Sequence, residues 1–359
     1  MSNNYRGGTG TGTGTGGLLK VFVVLLLNIV GTDLVLVDAG ISVPLNGLML
    51  HYYANKTTCK RAEYLVKLEV GKLWNIDRSI TPALLRLLYS DCLVTGCDAS
   101  ILLDGKRSEK AAPQNSGLRG FYVLDRIKEV LEEECPGIVS CADILQLATK
   151  EAVALAGAPK YPVFTGRRDG MKSNVSSVDL PPPSISWNKA LAYFQLKGLD
   201  VLDLGTLLGA HTTGVTHCRY ILDRLYNFNN TGRSDPSMDP TLLKQLRKSC
   251  PQAPKPGATQ DPVVFLNPAT GKNYSFTNSY YQRVLQNKAV LGIDQEFLSS
   301  KDGFRIANEF ANGFEDLRRS FALAISRMGS LGVLTGEKGE IRRSCRCTND
   351  DNPTLKGLK

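Results

Sequence analysis

Histidine is scarce in this chain of 359 residues, occurring only at positions 51, 211 and 217. That scarcity excludes a histidine-rich metal centre and confines the search for an imidazole base or ligand to three places. Basic runs are also missing. The net charge of +9 is dispersed, with no interleaved aromatic stripe, which argues against nucleic-acid binding and for weak attraction to acidic polysaccharide. Long apolar runs are absent too: the uncharged stretch covers only residues 21–32, too short to span a bilayer comfortably, so no stable membrane span is expected. What is present suits a folded core. Hydrophobic residues make up 42% and charged residues 21%, a balance that argues against disorder.

The first 39 residues read as a separate object. A Thr-Gly repeat contains the glycine spacing of a nucleotide fingerprint at Gly12, Gly14 and Gly17, but no strand precedes it and no βαβ unit follows, so that match is rejected. The apolar run 21–30 follows Arg6 and Lys20, and Val37-Asp38-Ala39 offers small residues for cleavage; this reads as a secretory signal, with an uncleaved anchor as the alternative. A domain over 40–347 and a short polar tail over 348–359 are expected to follow. Nine cysteines fit an oxidising compartment. Spacing alone establishes only that Cys92 and Cys97 are close enough to pair. Sequons at Asn55, Asn174, Asn229 and Asn273 fit a glycosylated secreted protein.

Apolar residues recur at three- and four-residue steps over 60–75, 79–92, 119–134, 141–155, 187–197, 200–211, 241–248, 278–288 and 304–328, predicting a mostly α, multi-helix fold. Strand candidates are few and short, such as 161–165. In the helix 79–92, Thr81 and Pro82 read as N-cap and N1. Arg86 and Ser90, four apart, share one face of it. His211 ends a helix that runs to Gly214, and its plain reading is a C-terminal histidine favoured by the helix dipole. His217 and His51 read as surface or solvated residues. A zinc site from His211, His217 and Cys218 is a remote alternative, because no further ligand pair has suitable spacing.

Ordered blocks along the chain carry a resemblance. They are Asp91-Cys92 through Asp98-Ala99-Ser100-Ile101-Leu102-Leu103-Asp104, Ser108-Glu109-Lys110, Leu118-Arg119-Gly120-Phe121, Val139-Ser140-Cys141-Ala142-Asp143 and Gly166-Arg167-Arg168-Asp169. Gly209-Ala210-His211-Thr212, Ile293-Asp294-Gln295-Glu296, Arg327-Met328-Gly329 and Leu334-Thr335-Gly336 continue the series. From about residue 50 to 347 the chain resembles a class III secretory plant peroxidase. The resemblance implies a haem b held between a distal and a proximal helix, with His211 as the iron ligand and Asp294 accepting its other ring N–H. It implies disulfides Cys59 to Cys135, Cys92 to Cys97, Cys141 to Cys345 and Cys218 to Cys250. Cys347 is left as a free thiol, a dimer link or a competitor for Cys141.

Departures from the family carry the functional argument. The family's distal motif Arg-Leu-His-Phe-His-Asp-Cys appears as Arg86-Leu87-Leu88-Tyr89-Ser90-Asp91-Cys92. The arginine that stabilises the leaving oxygen survives, but Ser90 stands where the acid–base histidine belongs. Losing a positioned general base costs about 10²- to 10⁴-fold in rate. The family's supporting asparagine falls near Gln114.

For a distal calcium the resemblance implies Asp91, Asp98 and Ser100 side chains, Val94 and Gly96 carbonyls, and help from Glu109 through water. On the proximal side Thr212 and Thr270 remain, but two family carboxylates fall at Asn267 and Thr277, implying a weak or absent second ion. Pro181, in Leu180-Pro181-Pro182-Pro183, is the candidate donor contact, with a rigid loop as the plain alternative. The implied protein is a monomer secreted to the cell wall or vacuole, using hydrogen peroxide against phenolic small molecules, with acidic wall polysaccharide as a partner and turnover weakened by Ser90. The alternative is a non-catalytic haem- and calcium-binding wall protein that binds or senses redox state.

Overall fold

The longest helices bury a wide apolar face and cluster in two groups. In the computed structural model, which describes residues 34–37, 41–253 and 260–356, Ala62–Ile76 and Ile80–Cys92 pack on Cys141–Leu155, and Phe121–Glu134 closes that group. Further along the chain, Val201–Leu208 packs on Phe314–Met328 and Ser279–Leu285 on Lys301–Asn312. One apolar cluster runs through both groups, from Tyr53 and Val66 to Phe310 and Phe321, and burial on that scale is the main force holding a domain of this size. All the described residues belong to a single unit of the chain, 32–359. The fold is mostly α, as periodicity predicts.

Strands are short two-stranded pairs. Leu34–Val37 pairs antiparallel with Ile41–Pro44, Met49–Leu50 with Phe164–Thr165, and Val215–His217 with Val263–Phe265. The expected strand 161–165 shrinks to its last two residues. The expected helix 304–328 is two helices, Lys301–Asn312 and Phe314–Met328, which break at Gly313 with φ −116° and ψ 88°. Helix 79–92 starts two residues earlier than expected: Ser79 is at the N-cap position without a side-chain cap bond, and Thr81 lies inside, donating to the Ala152 carbonyl at 3.1 Å and accepting from Trp74 Nε1 at 3.1 Å.

Two sequence blocks meet at the start of helix Cys141–Leu155. The Ser140 side chain caps it by accepting from the Asp143 amide. Asp169 then accepts from the Cys141 and Ala142 amides at 3.1 and 2.8 Å, a carboxylate at the positive end of the helix. Asp143 is fully buried, holding Arg167 at 2.7 Å and the Tyr53 hydroxyl at 2.7 Å. Arg167 in turn donates to the Gly329 and Phe164 carbonyls, so every charge in the cluster has a partner.

Disulfides join Cys59 to Cys135, Cys92 to Cys97, Cys141 to Cys345 and Cys218 to Cys250, the pairs the resemblance implies. Cys347 is a half-buried free thiol. With Cys218 bonded, the zinc alternative loses its sulfur ligand. At the start of the polar tail, Asn349 donates to the Ile341 carbonyl at 2.9 Å, and Asn352 is buried. The secretory-signal reading lies outside the described residues apart from the strand Leu34–Val37. Among the described residues no helix is long and apolar enough to cross a membrane.

Because the Asp143–Arg167 pair is buried, removing one partner strands a charge. Arg167→Met is expected to lower the unfolding free energy by about 3–5 kcal/mol, measured by denaturant titration with disulfides intact. A change below about 1 kcal/mol would mean that the pair behaves as a surface ion pair.

Candidate active site

His211 sits on a turn fixed from both sides. Asp200 accepts from the Leu202 and Asp203 amides while Asp203 accepts from the Asp200 amide, a reciprocal cap on Val201–Leu208. That helix tightens into the 3-10 turn Gly209–Thr213, so His211 lies in the turn rather than on the α-helix. Gly209 is required there, since a Cβ would collide with the Tyr281 hydroxyl.

His211 Nδ1 lies 2.7 Å from Asp294 Oδ1, with the two side chains 30% and 1% exposed. A carboxylate oxygen accepts, so Nδ1 carries the proton and Nε2 keeps its lone pair. Nε2 has no hydrogen-bond partner among the described residues. The Tyr280 hydroxyl donates to the same Asp294 Oδ1 at 2.7 Å. Burial, with the Asp294 charge, pushes that phenol well above its ordinary range, so it remains a donor. The Asp294 segment is itself clamped, because Ile293 N donates to the Pro183 carbonyl at 2.9 Å and Arg224 donates to the carbonyls of Ala289, Val290 and Leu291, each at 2.9 Å.

The helix Ile80–Cys92 lies beside the His211 turn. Arg86 is exposed, donates to the Gln114 carbonyl at 2.9 Å and stacks on the Tyr89 ring at 4.9 Å. Ser90 is fully buried and its Oγ has no partner. Gln114 contributes only that backbone carbonyl. The buried amide is its neighbour Asn115, 3% exposed, whose Nδ2 donates to the Glu109 carbonyl at 2.9 Å and whose Oδ1 is buried without a partner. Of the two adjacent amides, Asn115 is thus the one whose side chain is buried. Sequence counting cannot separate the two neighbours, and burial does.

In the loop after this helix, Asp91 Oδ2 accepts from the Ala99 amide at 3.0 Å and Asp98 Oδ1 from the Ser100 amide at 3.0 Å. Burial pushes the Asp91 carboxyl well up, and repulsion from Asp98 adds to it. Burial, with Asp98 adding, takes Glu109 up to about 7, and its Oε2 is buried and unpaired. Among the described residues no three His, Cys, Asp or Glu side chains gather to hold a metal by themselves. Asp91 and Asp98 need the Ser100 hydroxyl and the Val94 and Gly96 carbonyls to complete a set, and that all-oxygen set with crowded carboxylates suits a hard cation. The Val94 carbonyl also accepts from Lys197 Nζ at 3.1 Å. Gly96, at φ +122°, has no room for a side chain, since a Cβ would lie 2.7 Å from Gly332 Cα.

The proximal residues offer a calcium neutral oxygens only. Pairing of Val215–His217 with Val263–Phe265 brings Asn267 beside Thr212. Asn267 Nδ2 then donates to Thr212 Oγ1 at 3.0 Å and to Ser279 Oγ at 2.8 Å, while Thr270 Oγ1 donates to the Thr212 carbonyl at 2.9 Å and Thr277 Oγ1 lies 3.3 Å from Thr212 Oγ1. This neutral knot contains no carboxylate, and Asn267 Oδ1 is buried without a partner, a set that matches the expectation of a weak or absent second ion at Thr212 and Thr270.

Pro181 is half-buried on the loop whose Pro183 carbonyl holds Ile293. His51 pairs with Glu63 at 3.1 Å on the surface, and half-exposed His217 faces Asp261. Tyr280 and Asn115 carry no distinguishing sequence signal: the first reads as a core aromatic and the second as a loop amide.

A helical fold with one carboxylate-anchored imidazole beside an arginine-bearing helix is that of a peroxidase-type oxidoreductase. The profile of the peroxidase family matches residues 66–313. Probable peroxidase 61 of Arabidopsis thaliana is 57% identical over 329 residues, covering 92% of this chain and 96% of that protein. Probable peroxidase 26 of Arabidopsis thaliana is 57% identical over 302 residues, covering 84% and 90%. Peroxidase 57 of Arabidopsis thaliana is 42% identical over 292 residues, covering 81% and 90%. The chain belongs to the peroxidase family.

Proposed function

We propose that this plant peroxidase is a secreted haem enzyme that oxidises phenolic donors with hydrogen peroxide, and that Ser90 weakens its turnover. The observation that carries the reading is a complete His211–Asp294 anchor beside a helix whose acid–base position holds only a buried, unpartnered hydroxyl. Peroxidases of this family generally bind haem and calcium. A bound haem supplies the iron redox chemistry that splits peroxide and withdraws single electrons.

His211 offers Nε2 to that iron, while Asp294 holds the Nδ1 proton in place. Arg86 places a permanent positive charge where a leaving oxygen gathers negative charge. Ser90 cannot take a proton from peroxide near neutral pH, because a hydroxyl is far too weak a base. Tyr89 does not replace it, since burial raises its phenol above the ordinary value even with Arg86 beside it. Asn115 Oδ1 is left as a buried acceptor without a donor, with no imidazole to orient. Asp91, Val94, Gly96, Asp98 and Ser100 hold one calcium, and Pro181 contacts aromatic donors at the mouth. The protein acts as a monomer in the cell wall or vacuole, with its dispersed positive charge drawn to acidic wall polysaccharide.

Ser90→His is expected to raise the rate of reaction with peroxide by at least about tenfold, a conservative share of what a general base contributes. The check is stopped-flow absorbance at matched haem content, and equal rates would show that the serine is not the bottleneck. Metal analysis of the purified protein should return one calcium per chain, and Asn267→Asp combined with Thr277→Asp should return two, because restored carboxylates suit the ion. Two calcium ions in the unmodified protein would contradict the neutral-knot reading.

A further inference from the structure

We propose that Tyr280 tunes His211: its hydroxyl shares Asp294 Oδ1 with the imidazole N–H and so limits the electron density that Nε2 offers to a bound iron. Both donors reach the one oxygen at 2.7 Å. Asp294 and Tyr280 are 1% and 2% exposed, so bulk water does not compete for that oxygen. The hydroxyl is aimed by packing. The Tyr280 ring stands edge-on to His211 at 6.2 Å, meets Tyr281 at 4.9 Å and meets Phe297 at 6.4 Å.

Hydrogen bonds to an anion are charge-assisted, and in a dry environment bonds in one chain polarise one another. A second donor on an oxygen draws charge away from the first. With Tyr280 present, the carboxylate pulls less strongly on the Nδ1 proton, and the imidazole keeps more of its neutral character. Removing the hydroxyl leaves the N–H as the only donor identified on that oxygen. The ring then becomes more anionic and favours ferric over ferrous iron. Tyr280 is a positioning residue, since it acts through Asp294 and His211 and touches no reacting atom.

The inference rests on His211 being the iron ligand, and the test separates the two. Tyr280→Phe keeps the ring and removes the donor. In the haem-loaded protein, the ferric-to-ferrous equilibrium should shift about tenfold toward ferric, a midpoint about 59 mV lower for one electron. The iron–histidine stretch of the ferrous protein should move to higher frequency in resonance Raman. Site-specific 3,5-difluorotyrosine at position 280 strengthens the donor and should move both readouts the other way, which keeps the test decisive if the phenylalanine variant loses haem. A purely structural role would alter stability or haem content and leave both readouts unmoved. Unmoved readouts, or a higher midpoint in Tyr280→Phe, overturn the proposal. Absence of an iron–histidine stretch in the unmodified protein instead overturns the ligand reading beneath it.

Discussion

The bond between His211 Nδ1 and Asp294 Oδ1 joins residues 83 apart in sequence and fixes which imidazole nitrogen is free to act. Much of the surrounding architecture stabilises that one contact. The Asp200–Asp203 capping box sets the helix that leads into the His211 turn. On the other side, Arg224 and the Pro183 carbonyl hold the strip of backbone that carries Asp294. A buried carboxylate with two donors is a well-satisfied anion, and that satisfaction lets the charge remain in the interior.

The facing helix has the opposite character. Ser90 Oγ and Asn115 Oδ1 are both buried and both without partners, and an unpaired buried polar atom costs about 1–3 kcal/mol. The same elements keep Arg86 in place through the Gln114 carbonyl and the Tyr89 ring. The helix thus presents a guanidinium at Arg86 and only a hydroxyl at Ser90. On the proximal side Asn267, Thr212, Thr270, Thr277 and Ser279 are linked by neutral hydrogen bonds beside His211, while Asn267 Oδ1 is buried without a partner.

Helix Cys141–Leu155 is legible to the residue in the sequence, since Ser140 caps it and its apolar spacing is dense. Helix 304–328 misleads because the apolar period runs across Gly313, and only backbone angles reveal the break. Strands of two or three residues show no alternation, so the pair that brings Asn267 to Thr212 is invisible before folding. For the site, Arg86 and Ser90 share a helix face by simple spacing. Asp294 is reached only through family resemblance, because no local pattern links it to His211. Asn115 against Gln114 turns on burial, which adjacent amides in a loop do not announce. Tyr280 sits in a helical apolar stripe and reads as core, which it is; its second role comes from where one hydroxyl ends.

The central claim is that a complete proximal anchor is combined with a distal side lacking a base. Mixing the purified, haem-loaded protein with hydrogen peroxide in a stopped-flow spectrometer tests it most directly. The account predicts a histidine-ligated haem spectrum that changes only slowly, over seconds. A full spectral change within the mixing time, or a protein that binds no haem, would contradict it.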